Sequence, residues 1–163
     1  MANPDVPQGA RPFGPVLRSN EYVAGGAVYP GDLVKLNSDG RVVAATASDA
    51  LLGVAIGWAS AAAAKILVAD HPDQQIIIQS DSADIDAQTD LGLNYNFVAT
   101  AGDTLYKVSR MELDGDSAAT LATLPLRALA VVEGPDNVLG ASVKLRCIIN
   151  NHQLKGGTGT IGV

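Results

Sequence analysis

Carboxylates carry most of the reactive chemistry available to this chain. Asp81, Asp84, Asp86 and Asp90 lie close together, and Asp114 and Asp116 form a second pair. Hard cations such as calcium draw several oxygen ligands from one tight loop, and Asp84-Ile85-Asp86 begins like such a loop. A loop started at Asp84 then places Thr89 where glycine is needed and Tyr95 where a closing glutamate is needed. The segment therefore reads as a solvated acidic loop. Paired carboxylates also serve glycoside hydrolysis, but a chain that is 4% aromatic has little to stack against sugars.

The other candidates are isolated. His71 precedes a proline in a turn, and His152 follows a strand in a polar run. Cys147 is the one cysteine, so it has no partner within the chain, and its place in an apolar alternation reads as a buried, inert thiol. Two histidines and one cysteine do not make zinc-ligand spacing. No G-x-S-x-G elbow and no phosphate-cradling G-x-x-x-x-G-K-[ST] loop is present. Catalytic, cofactor and metal sites are all expected to be absent.

Charge narrows the partners. The net charge is −6, which disfavours a protein that works by neutralising phosphates, so nucleic acid is not an expected partner. Ten carboxylates lie between Asp70 and Asp116, against Lys107 and Arg110 alone. That segment is expected to face water or a positively charged partner. Charged residues are only 17% of the chain while apolar ones are 47%, which points to surface covered by other subunits. The N-terminus lacks an apolar signal core and no apolar run is long enough to cross a bilayer, so a soluble product of a reducing cytoplasm is expected, with no membrane partner.

The elements that must position these residues read as strands. In the 163-residue chain, Leu126 to Gln153 resolves into two strands around Gly134-Pro135-Asp136-Asn137. Val143, Leu145, Cys147 and Ile149 alternate with Lys144, Arg146, Ile148 and Asn150, a period of two that sends one row to a core. Upstream, Leu126, Ala128, Ala130 and Val132 make one row and Arg127, Leu129, Val131 and Glu133 the other. Further strands are expected at Val16–Val23, Leu33–Leu36, Arg41–Thr46, Leu51–Ala59, Ile66–Ala69, Gln75–Gln79 and Leu93–Ala99. Gly53 and Gly57 mark a bulge or bend in the fourth of these. A short helix is expected near Asp86 to Leu91, ended by Gly92. Met111 to Thr123 reads as a loop turning at Asp114-Gly115.

Short strands separated by Gly, Pro, Asn and Asp predict an all-β fold, a compact antiparallel β-sandwich or β-barrel. A single β-domain over residues 16–154 would be flanked by an extended arm, residues 1–15, and a flexible glycine-rich tail, residues 155–163. Four prolines in the arm exclude helix and ladder there. The arm is expected to be either a floppy tail or an extended segment that lies over a neighbour, anchored by Arg11 and Phe13.

Three stretches resemble the capsid decoration, or cement, proteins of tailed bacteriophages. They are Lys65 to Gln75; Leu126 to Ile149, with Pro135-Asp136-Asn137-Val138-Leu139-Gly140 at its centre; and the ending Asn150-Asn151-His152-Gln153-Leu154, with Thr158-Gly159-Thr160 and Gly162-Val163. Together they span about half the chain. The resemblance implies a small β-fold on the capsid exterior, a homo-oligomer, often a trimer at local threefold positions, bridging neighbouring major capsid protein subunits. Aromatic and arginine side chains dominate interface energetics, so the contact residues are expected among Arg11, Phe13, Val16, Leu17, Tyr22, Tyr29 and Trp58. The rival expectation is a virion fibre or a receptor- or carbohydrate-binding β-domain, which needs an exposed aromatic platform or an ordered metal loop. A small enzyme would need convergent polar groups around His71 or His152.

Overall fold

The computed structural model describes residues 3–81 and 85–163. Its strands form two antiparallel sheets packed against each other, a compact all-β sandwich. The strands are β1 (Arg11–Pro12), β2 (Ser19–Val23), β3 (Leu33–Leu36), β4 (Val42–Ala44), β5 (Gly53–Ala55), β6 (Lys65–Ala69), β7 (Gln75–Gln79), β8 (Asn94–Val98), β9 (Glu112–Ala119), β10 (Leu126–Val131) and β11 (Lys144–Ile149). The larger sheet runs β1-β7-β11-β10-β8-β9 and the smaller β2-β6-β5-β3-β4. Each sheet curls until a parallel bridge brings its two sides together, Ser80 with Leu113 in the larger and Ala24 with Val42 in the smaller.

Alternation decides which residues are enclosed. On β11, Leu145, Cys147 and Ile149 are buried with Val143, and they meet Ile76 and Ile78 of β7 and Tyr95 and Phe97 of β8. Leu33 and Val54 reach into this core from the smaller sheet. Each such aliphatic side chain contributes roughly 1.5–3 kcal/mol on burial. The opposite face of the smaller sheet encloses a second core of Val34, Val42, Leu52, Ala55, Ile66 and Val68, plugged by Ala24, Val28 and Ala59. Both faces of β5 are thus covered, which explains its unbroken apolar run. Gly53 has a separate reason: a Cβ there would lie 2.0 Å from the Ala69 carbonyl oxygen.

Several expectations are corrected. Met111 to Thr123 is not a loop, since Glu112–Ala119 is a strand paired with β8. Its acidic residues are the outward row of an alternation whose inward row is Met111, Leu113 and Gly115. The arm does form a ladder, with Arg11 opposite Ile77 and Pro12 opposite Ile76. Proline is tolerated there because β1 is an edge strand. On β10 a bulge between Ala128 and Ala130 advances the register, so Val131 rather than Ala130 lies opposite Leu145, and Val131 packs on the core. The region expected to hold a helix near Asp86 to Leu91 contains one 3-10 turn, Gln88–Asp90.

Both ends are tied to their own chain. The Asn3 side chain bonds the backbone of Val138 and Ala141, and Ala10 is buried in the larger core. The tail, expected to be flexible, is held near its end. Arg127 donates to the carbonyls of Thr160 and Ile161, Gly162 N donates to Thr120 O and Val163 N to Gly92 O.

Candidate interaction surface

The two histidines and the cysteine lie in the chain's turns and core. His71 Nδ1 accepts from Asp73 N at 3.1 Å and closes its turn. His152 is buried, its Nδ1 accepts from Leu154 N at 3.1 Å, and its Nε2 has no partner. Burial pushes its pKa down to about 4. Cys147 is fully buried, which pushes its thiol up. Asp84, the start of the calcium-like loop, lies outside the described residues. Asp90 Oδ2 accepts from Ala87 N and its carbonyl from the Tyr95 hydroxyl. Among the described residues, no group of three His, Cys, Asp or Glu side chains could hold a metal ion.

Carboxylates do gather along β9. Burial raises the Glu112 carboxyl, with Asp5 and Asp81 adding to it, and burial raises Asp114, with Asp81 and Asp116 adding to it. Asp81 Oδ1 accepts from Gly115 N, which fixes one member of the group beside the strand.

A different acid organises the smaller sheet. Asp70 has a fully buried side chain that takes Arg18 Nε at 2.9 Å, Asn20 Nδ2 at 2.8 Å and the Tyr22 hydroxyl at 2.5 Å. Burial alone would raise its carboxyl, but the three donors together hold it below the ordinary range.

The seven residues expected to make contacts are scattered. Arg11 and Phe13 lie at the β1 edge, where the Phe13 ring is 5.3 Å from the Arg146 guanidinium. Val16 and Leu17 are exposed on the link between the sheets, with Leu17 N held by Gln74 Oε1 at 2.8 Å. Tyr22 turns inward, half-buried against the second core, its hydroxyl spent on Asp70. The Tyr29 ring is laid over Gly102, where a Cβ would come within 2.2 Å of it. Trp58 is 47% exposed, with Lys107 Nζ 5.0 Å from its ring centre.

Around Trp58 the structure adds residues that the sequence did not single out. Val54 opposes Ala69, and two positions further on Ile56 N donates to Leu67 O at 2.9 Å, so Ile56 and Leu67 share the face of Val54. Both are exposed, and neither belongs to the larger core that encloses Val54. Leu67 opposes Glu21 and Lys65 opposes Val23. The outer wall of the smaller sheet thus carries Val23, Ile56, Trp58 and Leu67 in the open, crossed by a Glu21–Lys65 ion pair of 2.7 Å.

The loop that brings Lys107 to Trp58 presents Leu105 and Tyr106, each 76% exposed. It is stiffened from within. Asp103 Oδ1 accepts from Leu105 N and Tyr106 N at 2.8 and 2.9 Å, and Asp103 N bonds Val108 O. The Tyr106 and Leu105 amides hold the Asp103 carboxyl below its usual range. Asp103-Thr104 ahead of an apolar pair was the one signal in the sequence, an Asx turn that holds Leu105 and Tyr106 outward. Comparison with protein-family models, with curated proteins and with solved structures finds no match to this chain.

Proposed function

We propose that the chain is a non-enzymatic structural protein of a phage virion. It would bind the outer surface of the capsid and stabilise it by bridging neighbouring major capsid protein subunits, as a trimer at local threefold positions. The observation that carries the binding role is the open apolar wall of Val23, Ile56, Trp58 and Leu67 beside the stiffened Leu105–Tyr106 loop. Large apolar side chains shown on a rigid frame favour association, because little entropy is lost when they are covered. Many weak contacts repeated over a symmetric lattice then add up to strong attachment. The capsid as partner and the trimer rest on the sequence resemblance.

Phe13 and Leu17 remain contact candidates in this proposal. Ala10 is part of the core and Phe13 N bonds Gln75 O, so deleting the arm would also damage the sheet. Side-chain truncation is the cleaner test. Purified protein is mixed with expanded capsids, and bound mass is measured by sedimentation and mass spectrometry. Saturable binding supports the proposal; protein that stays a monomer and leaves every capsid bare ends it.

A further inference from the structure

Two rows of unpaired charge, opposite in sign, lie on neighbouring walls of the larger sheet. On one wall, Ile77 of β7 stands between Arg11 of β1 and Arg146 of β11. The adjacent Ile76 and Cys147 are buried, so these three side chains point away from the core. Lys144 joins them two residues along β11, opposite Gln79. The Phe13 ring lies 5.3 Å from the Arg146 guanidinium and braces it. Of the Arg146 nitrogens only Nε is buried, so the terminal two reach the surface. Glu133 lines the cleft beside Arg146 without forming an ion pair with it. The second row is the outward one of β9, Glu112, Asp114 and Asp116. β7 links the two walls, since Gln79 opposes Lys144 and Ser80 bridges Leu113. The ion pairs among the described residues are Arg18–Asp70, Lys35–Asp49, Arg41–Asp39 and Lys65–Glu21, and neither row enters one.

A basic face on a chain of net charge −6 suits an acidic occupant. Nucleic acid would bring its phosphates up against the acidic row next door. A second copy brings carboxylates at a matching pitch. Lys144 and Arg146 are two residues apart on one strand, as are Glu112 and Asp114, which spaces each pair by about 7 Å. Arriving cations would also relieve the mutual repulsion that helps to raise the Glu112 and Asp114 carboxyls. We propose that Arg11, Lys144 and Arg146 of one copy bind the Glu112–Asp114–Asp116 row of a second copy of this chain. Each copy carries one row of each sign, so the contact repeats head to tail until a ring closes. The inference rests on the homo-oligomer part of the proposed function, whose contact it names, and not on the capsid.

The test is sedimentation velocity and native mass spectrometry of the purified full chain without capsids. Lys144→Glu with Arg146→Glu reverses the basic row, and Glu112→Lys with Asp116→Lys reverses the acidic one. Asp114 is left in place because its carboxylate takes the backbone amides of Asp116 and Ser117. The unaltered chain should form a discrete oligomer. Either reversal should raise its dissociation constant about tenfold or more, because like charges then meet. Both reversals combined in one chain should restore it. Where a double change unfolds the chain, Arg11→Glu and Asp116→Lys, both at exposed positions, give the same reading alone and together. A chain that stays monomeric at hundreds of micromolar would overturn the proposal, as would reversals that the combined variant does not rescue. An oligomer unmoved by either reversal would overturn this contact and leave the homo-oligomer itself standing. If reversing the basic row weakened only capsid attachment, that face would belong to the capsid and the proposal would again fall.

Discussion

The Tyr22 hydroxyl donates to the buried Asp70 carboxylate at 2.5 Å, and this bond joins the edge strand β2 to the end of β6. Tyr22→Phe keeps the ring against the second core but leaves Asp70 with one donor fewer. The expected loss is about 1–2 kcal/mol, read as a lower urea midpoint with unchanged slope. No change in midpoint would mean that the bond contributes nothing.

Acidification should weaken the fold first through His152. Its folded pKa of about 4 lies below the ordinary 6.5, so between those values the unfolded chain binds a proton that the fold refuses. Stability therefore falls as the pH falls, by up to about 1.4 kcal/mol per pH unit. Asp70 acts in the same direction lower down: its folded pKa is depressed, so its contribution is present above the unfolded value of 3.8 and is lost as the pH falls through the folded one. Glu112 and Asp114 have raised values and oppose this trend in the acidic range. Urea midpoints from neutral pH down to about pH 5 should fall in the unaltered chain, with the fall flattened in His152→Asn, which keeps an acceptor for Leu154 N.

Gly53→Ala should be among the most damaging small changes. The added carbon meets the Ala69 carbonyl at 2.0 Å, and neither strand can retreat without breaking the pairing of β5 with β3 and β6. A loss above about 3 kcal/mol is expected. Gly102→Ala meets the Tyr29 ring instead, which can swing aside, so about 1–2 kcal/mol is expected. Equal losses at the two sites would contradict this account.

Cys147 should be inert in the native protein. It lies between Ile76 and Ala128 on the neighbouring strands, fully buried, and its thiol is held protonated by burial. A thiol-reactive chromogen should label it only at the rate of global unfolding, and immediately in denaturant. Fast labelling under native conditions would show that the core opens locally.

Replacing Leu105 and Tyr106 together by serine should leave the melting temperature nearly unchanged, because both side chains are 76% exposed. If the loop contacts a capsid, attachment should weaken by about tenfold or more. Full attachment by a well-folded double variant would remove the loop from the interface.

Alternation made β11 legible, and the all-β class came from it and from the turn residues. Alternation failed where the backbone departs from it. The bulge in β10 exchanges the roles of Ala130 and Val131, and nothing in Leu126 to Glu133 announces it. On β9 the outward row is acidic and the inward row ends in Gly115, so a real strand resembled a turn. Pro12 hid a ladder because proline is excluded from central strands but not from edges. Tyr22 and Trp58 read alike as aromatic contact residues. Asp70, 48 residues from Tyr22 in the chain, turned one inward, while the other stayed open beside Ile56 and Leu67.

The crowding of Asp5, Asp81, Glu112, Asp114 and Asp116 along β9 makes the molecule answer to dissolved salt in two opposite ways. Mobile cations will collect at that edge and ease its internal repulsion, since screening acts within about 8 Å at physiological ionic strength. The same ions loosen the exposed Glu21–Lys65 pair on the other sheet. Added sodium chloride will therefore firm one side of the sandwich while slackening the other.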